Sequence, residues 1–226
     1  MRILTIFIAI MYFQPAFCQD EVKDKAFFVE PLFRVHGILP ADLGTNYLAD
    51  ANKGKVSFGI NMSMFEYHNF RLAVGFDRIY YDVTDVSKAA TVDHSRYNLL
   101  YAQVLYEFPI TKNFSIQPYV GFGSSEINFV RSSDTRINYF GVEANNIVRQ
   151  RGRNLRGGFY ADYRIDNVLS FFAGIGYVKS SLDVDTAPEF KPYFGEAKML
   201  QINVGLKVGY SMKNKYLRNK ANATNK

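Results

Sequence analysis

From residue 200 to residue 212, apolar and polar positions alternate without a break. Leu200, Ile202, Val204, Leu206, Val208, Tyr210 and Met212 take the even positions; Gln201, Asn203, Gly205, Lys207, Gly209 and Ser211 take the odd ones. A strand points successive side chains to opposite faces, so this segment has one apolar face and one polar face. Its thirteen residues exceed the roughly 9–11 that a tilted strand needs to cross a bilayer. The pattern predicts lipid on the apolar side and a barrel interior on the polar side.

Seven earlier stretches share the two-residue period: 26–37, 55–67, 70–81, 96–108, 114–130, 154–165 and 168–181. In the first, Phe27, Val29, Phe33 and Val35 oppose Glu30, Arg34 and His36. In the third, Leu72, Val74 and Phe76 oppose Arg71 and Asp77; in the sixth, Leu155, Phe159 and Tyr163 oppose Arg156, Asp162 and Arg164. The fourth has a greasier inner face, with Leu99 and Leu105. Short connectors rich in Asn and Asp follow strands two, four and six, at His68-Asn69, Thr111-Lys112-Asn113 and Asp166-Asn167. Such residues tolerate tight turns. Long connectors follow the odd strands, at 38–54, 82–95, 131–153 and 182–198. Strict alternation puts all short turns at one end and all long loops at the other. The expected fold is all-β: an eight-stranded antiparallel up-and-down transmembrane β-barrel with short periplasmic turns and long extracellular loops. An even strand count pairs the first strand with the last and leaves no edge in lipid. Pro31 and Pro118 each remove a ladder donor, which a bulge or a water partner would have to make good.

Ahead of the strands, Arg2, the apolar run 3–13 and Gln14-Pro15-Ala16-Phe17-Cys18 read as a secretory signal peptide over 1–18, cut after Cys18. A lipoprotein signal that modifies Cys18 is the rival, and the bulky Phe17 opposes it. Residues 19–25 are a periplasmic lead, 26–212 the barrel and 213–226 a basic tail. Without residues 1–18 the formal charge of +6 falls to +5 with the loss of Arg2. Lys213, Lys215, Arg218, Lys220 and Lys226 supply all five, so the barrel is neutral and the charge offers no argument for nucleic-acid binding. Cys18 is the only cysteine, so the mature chain has no thiol chemistry.

The last strand carries the most specific likeness to known proteins. Asn203-Val204-Gly205-Leu206-Lys207-Val208-Gly209-Tyr210 follows a polar, any, Gly, any, any, apolar, any, aromatic order, and residues 117–123 and 172–177 carry softer matches. Over 26–212 the chain resembles the eight-stranded barrels of the outer membrane protein A/X superfamily. The resemblance implies an integral protein of the bacterial outer membrane. It also implies that Asn203, Gly205, Val208 and Tyr210 are read by the barrel-assembly machinery. The sixteen residues after Tyr210 depart from the family pattern.

The polar faces collect Glu30, Asp77, Glu107 and Asp162 against Arg34, Arg71, Arg164 and Lys207. Side chains fill an eight-stranded barrel, so these four acids and four bases should pair. Glu30, Arg71, Glu107 and Arg164 form a predicted outer tier; Arg34, Asp162 and Lys207 form a deeper one. An ion-pair plug is the first reading and an ion or proton path the second. His36, His68 and His94 are the only histidines. His94 has Ser95 and Asp93 beside it, but chain neighbours in a strand point apart, so a nucleophilic relay is not expected. No catalytic, metal or cofactor site is predicted. The expected role is structural, adhesive or surface-interacting, through loops 38–54, 82–95, 131–153 and 182–198. Expected partners are outer-membrane lipids and lipopolysaccharide, an extracellular ligand at those loops, and no nucleic acid. A transport or binding barrel for small or apolar solutes is the alternative. A lipopolysaccharide-modifying enzyme follows, then a soluble lipocalin-like binder, which the inverted facing and the lack of Trp oppose.

Overall fold

The two-residue period closes on itself in the computed structural model, which describes residues 27–85, 92–131, 147–166, 168–184 and 188–209. Ten strands form one antiparallel sheet: β1 (Phe27–Asp42), β2 (Asn52–Gly54), β3 (Ser57–Tyr67), β4 (Phe70–Val83), β5 (Val92–Tyr106), β6 (Phe108–Pro109), β7 (Phe114–Arg131), β8 (Ile147–Arg164), β9 (Leu169–Asp183) and β10 (Glu196–Gly209). Eight of them are long and pair in sequence order, and β10 returns to β1 from Leu32↔Gly209 to Asp42↔Met199. The short β2 prolongs the sheet beside β4, and β6 pairs with β7. The long strands make a closed barrel with no open edge at membrane depth.

Local chemistry sets the ends of the strands. His68 and Asn69 both have positive φ, 46° and 69°, which a two-residue hairpin requires. Asp166 Oδ1 accepts the Val168 and Leu169 amides at 2.7 and 2.8 Å. Thr111 Oγ1 accepts the Phe114 amide at 3.0 Å. Both prolines fall where pairing is broken. The β1–β3 register shifts between Val29 and Leu32, around Pro31. The β5–β7 ladder stops at Leu105↔Tyr119 and resumes with β6 at Phe108↔Ile116, so the gap spans Pro118.

On β10, Leu200, Ile202, Val204, Leu206 and Val208 are 37–57 % exposed, while Gln201 and Asn203 are fully buried and Lys207 is 9 % exposed. The outward apolar residues continue on the other long strands, through Val35, Val74, Val104, Val120, Phe159 and Ile175. An apolar belt around a closed barrel is a lipid-facing surface. No helix among the described residues is long and apolar enough to cross a membrane.

The strands run further than predicted on the long-loop side. β1 continues to Asp42, β5 starts at Val92, β8 at Ile147 and β10 at Glu196. The predicted loops shrink accordingly. The cause is an exchange of hydropathy between the two faces at one height, with the inward and outward parity unchanged. On β10, Glu196 and Lys198 are partly exposed while Ala197 and Met199 are buried inside; from Leu200 onward the assignment is reversed. β5 inverts between Leu99 and Leu100, and β4 between Asp77 and Arg78. Polar residues therefore line the interior within the belt but not above it. There the interior is an apolar core of Ile79, Tyr81, Tyr97, Leu99, Ile127, Val178 and Met199. The upper wall is built like a soluble protein, greasy inside and wet outside.

A five-residue helix, α1 (Tyr47–Ala51), closes this core. Asn46 caps it, accepting the Leu48 and Ala49 amides at 3.1 Å each and donating to the Leu43 carbonyl at 2.8 Å. So short a helix gains little on its own. Its anchor is Tyr47, edge-on to Phe129 at 5.2 Å and tilted against Phe194 of α2 (Lys191–Gly195) at 5.7 Å.

Candidate functional site

Within the belt the lumen is filled in three polar tiers. Nearest the short turns, Arg71 pairs with Glu66 and, at 3.4 Å, with Glu107. Deeper in, Asp162 accepts from Lys207, from Gln117 Nε2 at 2.8 Å and from Arg34 Nη2 at 3.3 Å. Arg34 also donates to Gln117 and lies over the Tyr160 ring at 4.9 Å. In the third tier Asp77 is fully buried. It accepts from Arg156 Nη1 at 2.9 Å and from the Tyr101 hydroxyl at 3.0 Å, with His36 Nε2 3.3 Å away. The Arg156 guanidinium lies 3.6 Å from the Tyr101 ring centroid and donates to Gln201 at 3.3 Å. Glycines make room for this filling. A Cβ at Gly59 would fall on Asp77 and His36, and one at Gly75 on the Tyr101 ring.

The predicted deeper set, Arg34, Asp162 and Lys207, meets at one carboxylate. Arg71 and Glu107 also meet. Arg164 does not join them: it sits at the end of β8, past the mouth, half-buried and donating to the Lys112 carbonyl at 3.5 Å. The side chain of Glu30 lies outside the described residues. So does Tyr210 of the predicted assembly signal; of its other members, Asn203 faces the lumen and Val208 faces outward. A Cβ at Gly205 would strike the Val35 carbonyl across the ladder.

Seven residues of these tiers were not in the predicted set: Glu66, Gln117, Tyr160, Tyr101, His36, Arg156 and Gln201. All but Glu66 sit on polar faces of predicted strands, so the alternation marks them as inward. Glu66 has the wrong parity for its strand. A bulge in β3 between Ser63 and Phe65 turns both Met64 and Phe65 outward and brings Glu66 inside.

The remaining histidines do not assemble a relay. His94 is half-buried opposite Asp82, the adjacent Ser95 is buried, and His68 stacks edge-on to Tyr67 in a turn. Among the described residues no cluster of His, Cys, Asp and Glu has metal-binding geometry.

These features fix the architecture: closed, antiparallel, eight long strands, apolar outside and packed inside. The fold is that of an eight-stranded outer-membrane β-barrel. No family model and no curated protein matches the chain. Among solved structures, the barrel is similar to a major outer membrane protein from Thermus thermophilus, at 13 % identity and TM-score 0.49, covering 81 % of this chain and 100 % of that one. It is similar to Neisserial surface protein A, at 15 % identity and TM-score 0.48, covering 81 % and 97 %. The attachment invasion locus protein Ail of Yersinia pestis gives 13 % identity and TM-score 0.39, covering 81 % and 99 %.

Above the belt of the barrel, one carboxyl has a distinctive environment. Asp42 ends β1 beyond the lipid-facing residues and accepts the Tyr81 hydroxyl at 2.8 Å. Burial pushes its pKa up from 3.8 to about 6, against the pull of that hydrogen bond. A carboxyl raised on folding contributes stability that is complete below its unfolded value and lost as pH rises through its folded value. Amide-exchange protection at the end of β1 and in α1 should therefore increase as pH falls from 7 through 6 toward 4. Asp42→Asn should flatten that slope; an unchanged slope in the variant would assign it to other groups.

Proposed function

We propose that this chain is an integral barrel of the bacterial outer membrane that does not conduct and acts through its extracellular end, in a structural, adhesive or surface-interaction role. The carrying observation is the layering of the lumen: three ion-pair tiers under an apolar core, capped by α1. A passage for ions or small solutes would have to break every layer. Strand pairing closes from β1 round to β10, and its interruptions at Pro31 and Pro118 lie toward the short-turn end. The long-loop end faces outward and the short turns face the periplasm, as in barrels with this connector asymmetry. The last strand, with Asn203, Gly205, Val208 and Tyr210, then serves as the segment that the assembly machinery reads.

Single-channel recording tests this. The wild-type protein in a planar bilayer should give no stepwise current. The double variant Arg71→Gln, Glu107→Gln should also give none, because two further tiers and the apolar core remain above the altered one. Regular conductance steps from the wild type would overturn the reading and favour solute transport.

A further inference from the structure

On β8 the outward face changes character abruptly. Phe159 and Leu155 are 49 % and 60 % exposed and belong to the belt. The next three outward positions are Arg153, Arg151 and Arg149, all exposed. Outward positions lie two residues apart, roughly 6.6 Å along a strand, so three guanidinium groups stand in a row on the barrel wall directly above the lipid-facing surface.

Their neighbours distinguish them. Arg151 is opposite Glu126 of β7 and bonded to it at 3.1 Å. Asn128 also donates to Glu126 at 3.0 Å, and these contacts hold that carboxyl below its usual range, the Asn128 bond first. Arg153, the lowest of the row, has Ser124 of β7 on one side and Ser181 of β9 on the other. No acid pairs with it among the described residues. Lys179 is exposed on the same wall, one step lower and opposite Leu155, with only a long 3.8 Å contact to Glu196, which Lys198 holds at 2.7 Å. Two cations and two hydroxyls therefore converge at the top of an apolar bed formed by Phe122, Leu155 and Tyr177.

We propose that this place on the outer wall of β7–β9, centred on Arg153 with Lys179, Ser124 and Ser181, binds the phosphate of an acylated, phosphorylated glycolipid of the outer leaflet. Arginine presents a planar fork that matches two phosphate oxygens, and lysine adds a point charge. The hydroxyls donate to the remaining oxygens. The acyl chains lie down the wall over Leu155, Phe122 and Tyr177, which a free anion would not use. That continuity selects a lipid over a soluble phosphate. The inference rests on the long-loop end facing the outer leaflet.

The test uses the full chain folded in nanodiscs of phosphatidylcholine doped with bisphosphorylated lipid A, or with the same lipid A stripped of phosphate. Lipid retained per barrel is counted by native mass spectrometry, and heat-modifiable gel migration confirms folding of each variant. The phosphorylated lipid should be retained about tenfold over the stripped one. Arg153→Ala with Lys179→Ala should remove most of that preference. Arg153→Lys should keep part of it. Arg151→Ala, whose guanidinium is already held by Glu126, should change it less than about twofold. Equal retention of both lipids, an unaltered preference in the folded double variant, or full displacement by millimolar inorganic phosphate would each overturn the proposal. A disc exposes both leaflets, so retention depends neither on orientation in the cell nor on a closed lumen. Conductance by the wild type would sink the proposed function and leave this result standing.

Discussion

Asp77→Ala should destabilise the barrel by about 3–5 kcal/mol, the cost of leaving one buried charge without its partner. Asp77 and Arg156 are both fully buried, 2.9 Å apart, at the level where the polar lumen meets the apolar core. Removing the carboxylate leaves the guanidinium with Gln201 and the Tyr101 and Tyr119 rings, and takes away its hydrogen-bonded counter-charge. The packed side chains around it keep bulk water from taking up the charge. Arg156→Ala should cost a similar amount. The double variant should cost clearly less than the sum, because it removes both charges together. Urea titration in lipid vesicles, read by the folded fraction on gels, measures all three. Arg71→Ala provides the contrast. Its site lies nearer the short turns and includes the half-buried Glu107, so its loss should be smaller. If Asp77→Ala and Arg71→Ala cost the same, burial depth is not what sets the strength of these pairs.

Tyr97→Ala should be nearly as costly, about 3–5 kcal/mol, as for other large aromatic truncations in a packed core. Its ring is fully buried among Ile79, Leu99, Ile127 and Val178 above the belt. Tyr97→Phe keeps the ring and should cost less than about 1.5 kcal/mol. The two variants should also differ in place. Tyr97→Ala should expose the segment around α1 to protease, since Tyr47 and Leu48 pack on the same core. Tyr97→Phe should leave the cleavage pattern unchanged. Protease sensitivity equal to wild type in Tyr97→Ala would mean that the cap does not rest on the core.

The barrel was readable from the chain because lipid enforces a strict two-residue period. Leu200–Val208 shows it: five outward positions, all apolar, with no partner able to relax the rule. The upper barrel was harder to see for the same reason. Where the wall leaves lipid, the inside becomes apolar and the outside polar, so the alternation slips by one residue. At Met199-Leu200 two apolar residues stand side by side and the slip reads as the end of a strand, whereas at Leu99-Leu100 the pattern reads through and shows only a greasier inner face. The sequence therefore ended β10 at Leu200, four residues short. The lumen pairs were legible as an inventory and less so as partnerships. Parity put Arg34, Asp162 and Lys207 on inward faces, and they do converge. It could not place Glu66, because a bulge between Ser63 and Phe65 shifts every later residue of β3 by one. Nor could it say that β8 leaves the lumen before Arg164.

The arginine row on β8 also bears on how the barrel came to lie in its membrane. Those side chains stand on the far side of the hydrocarbon from the short turns, so in the proposed orientation, with insertion from the short-turn side, they have to cross it. Each arginine at the bilayer midplane costs about 2–4 kcal/mol, and three in register cross together on one strand. Spontaneous passage against that toll is slow in either direction. In that orientation the row would act as a ratchet: hard to carry through once, and afterwards the same barrier keeps the barrel from slipping back.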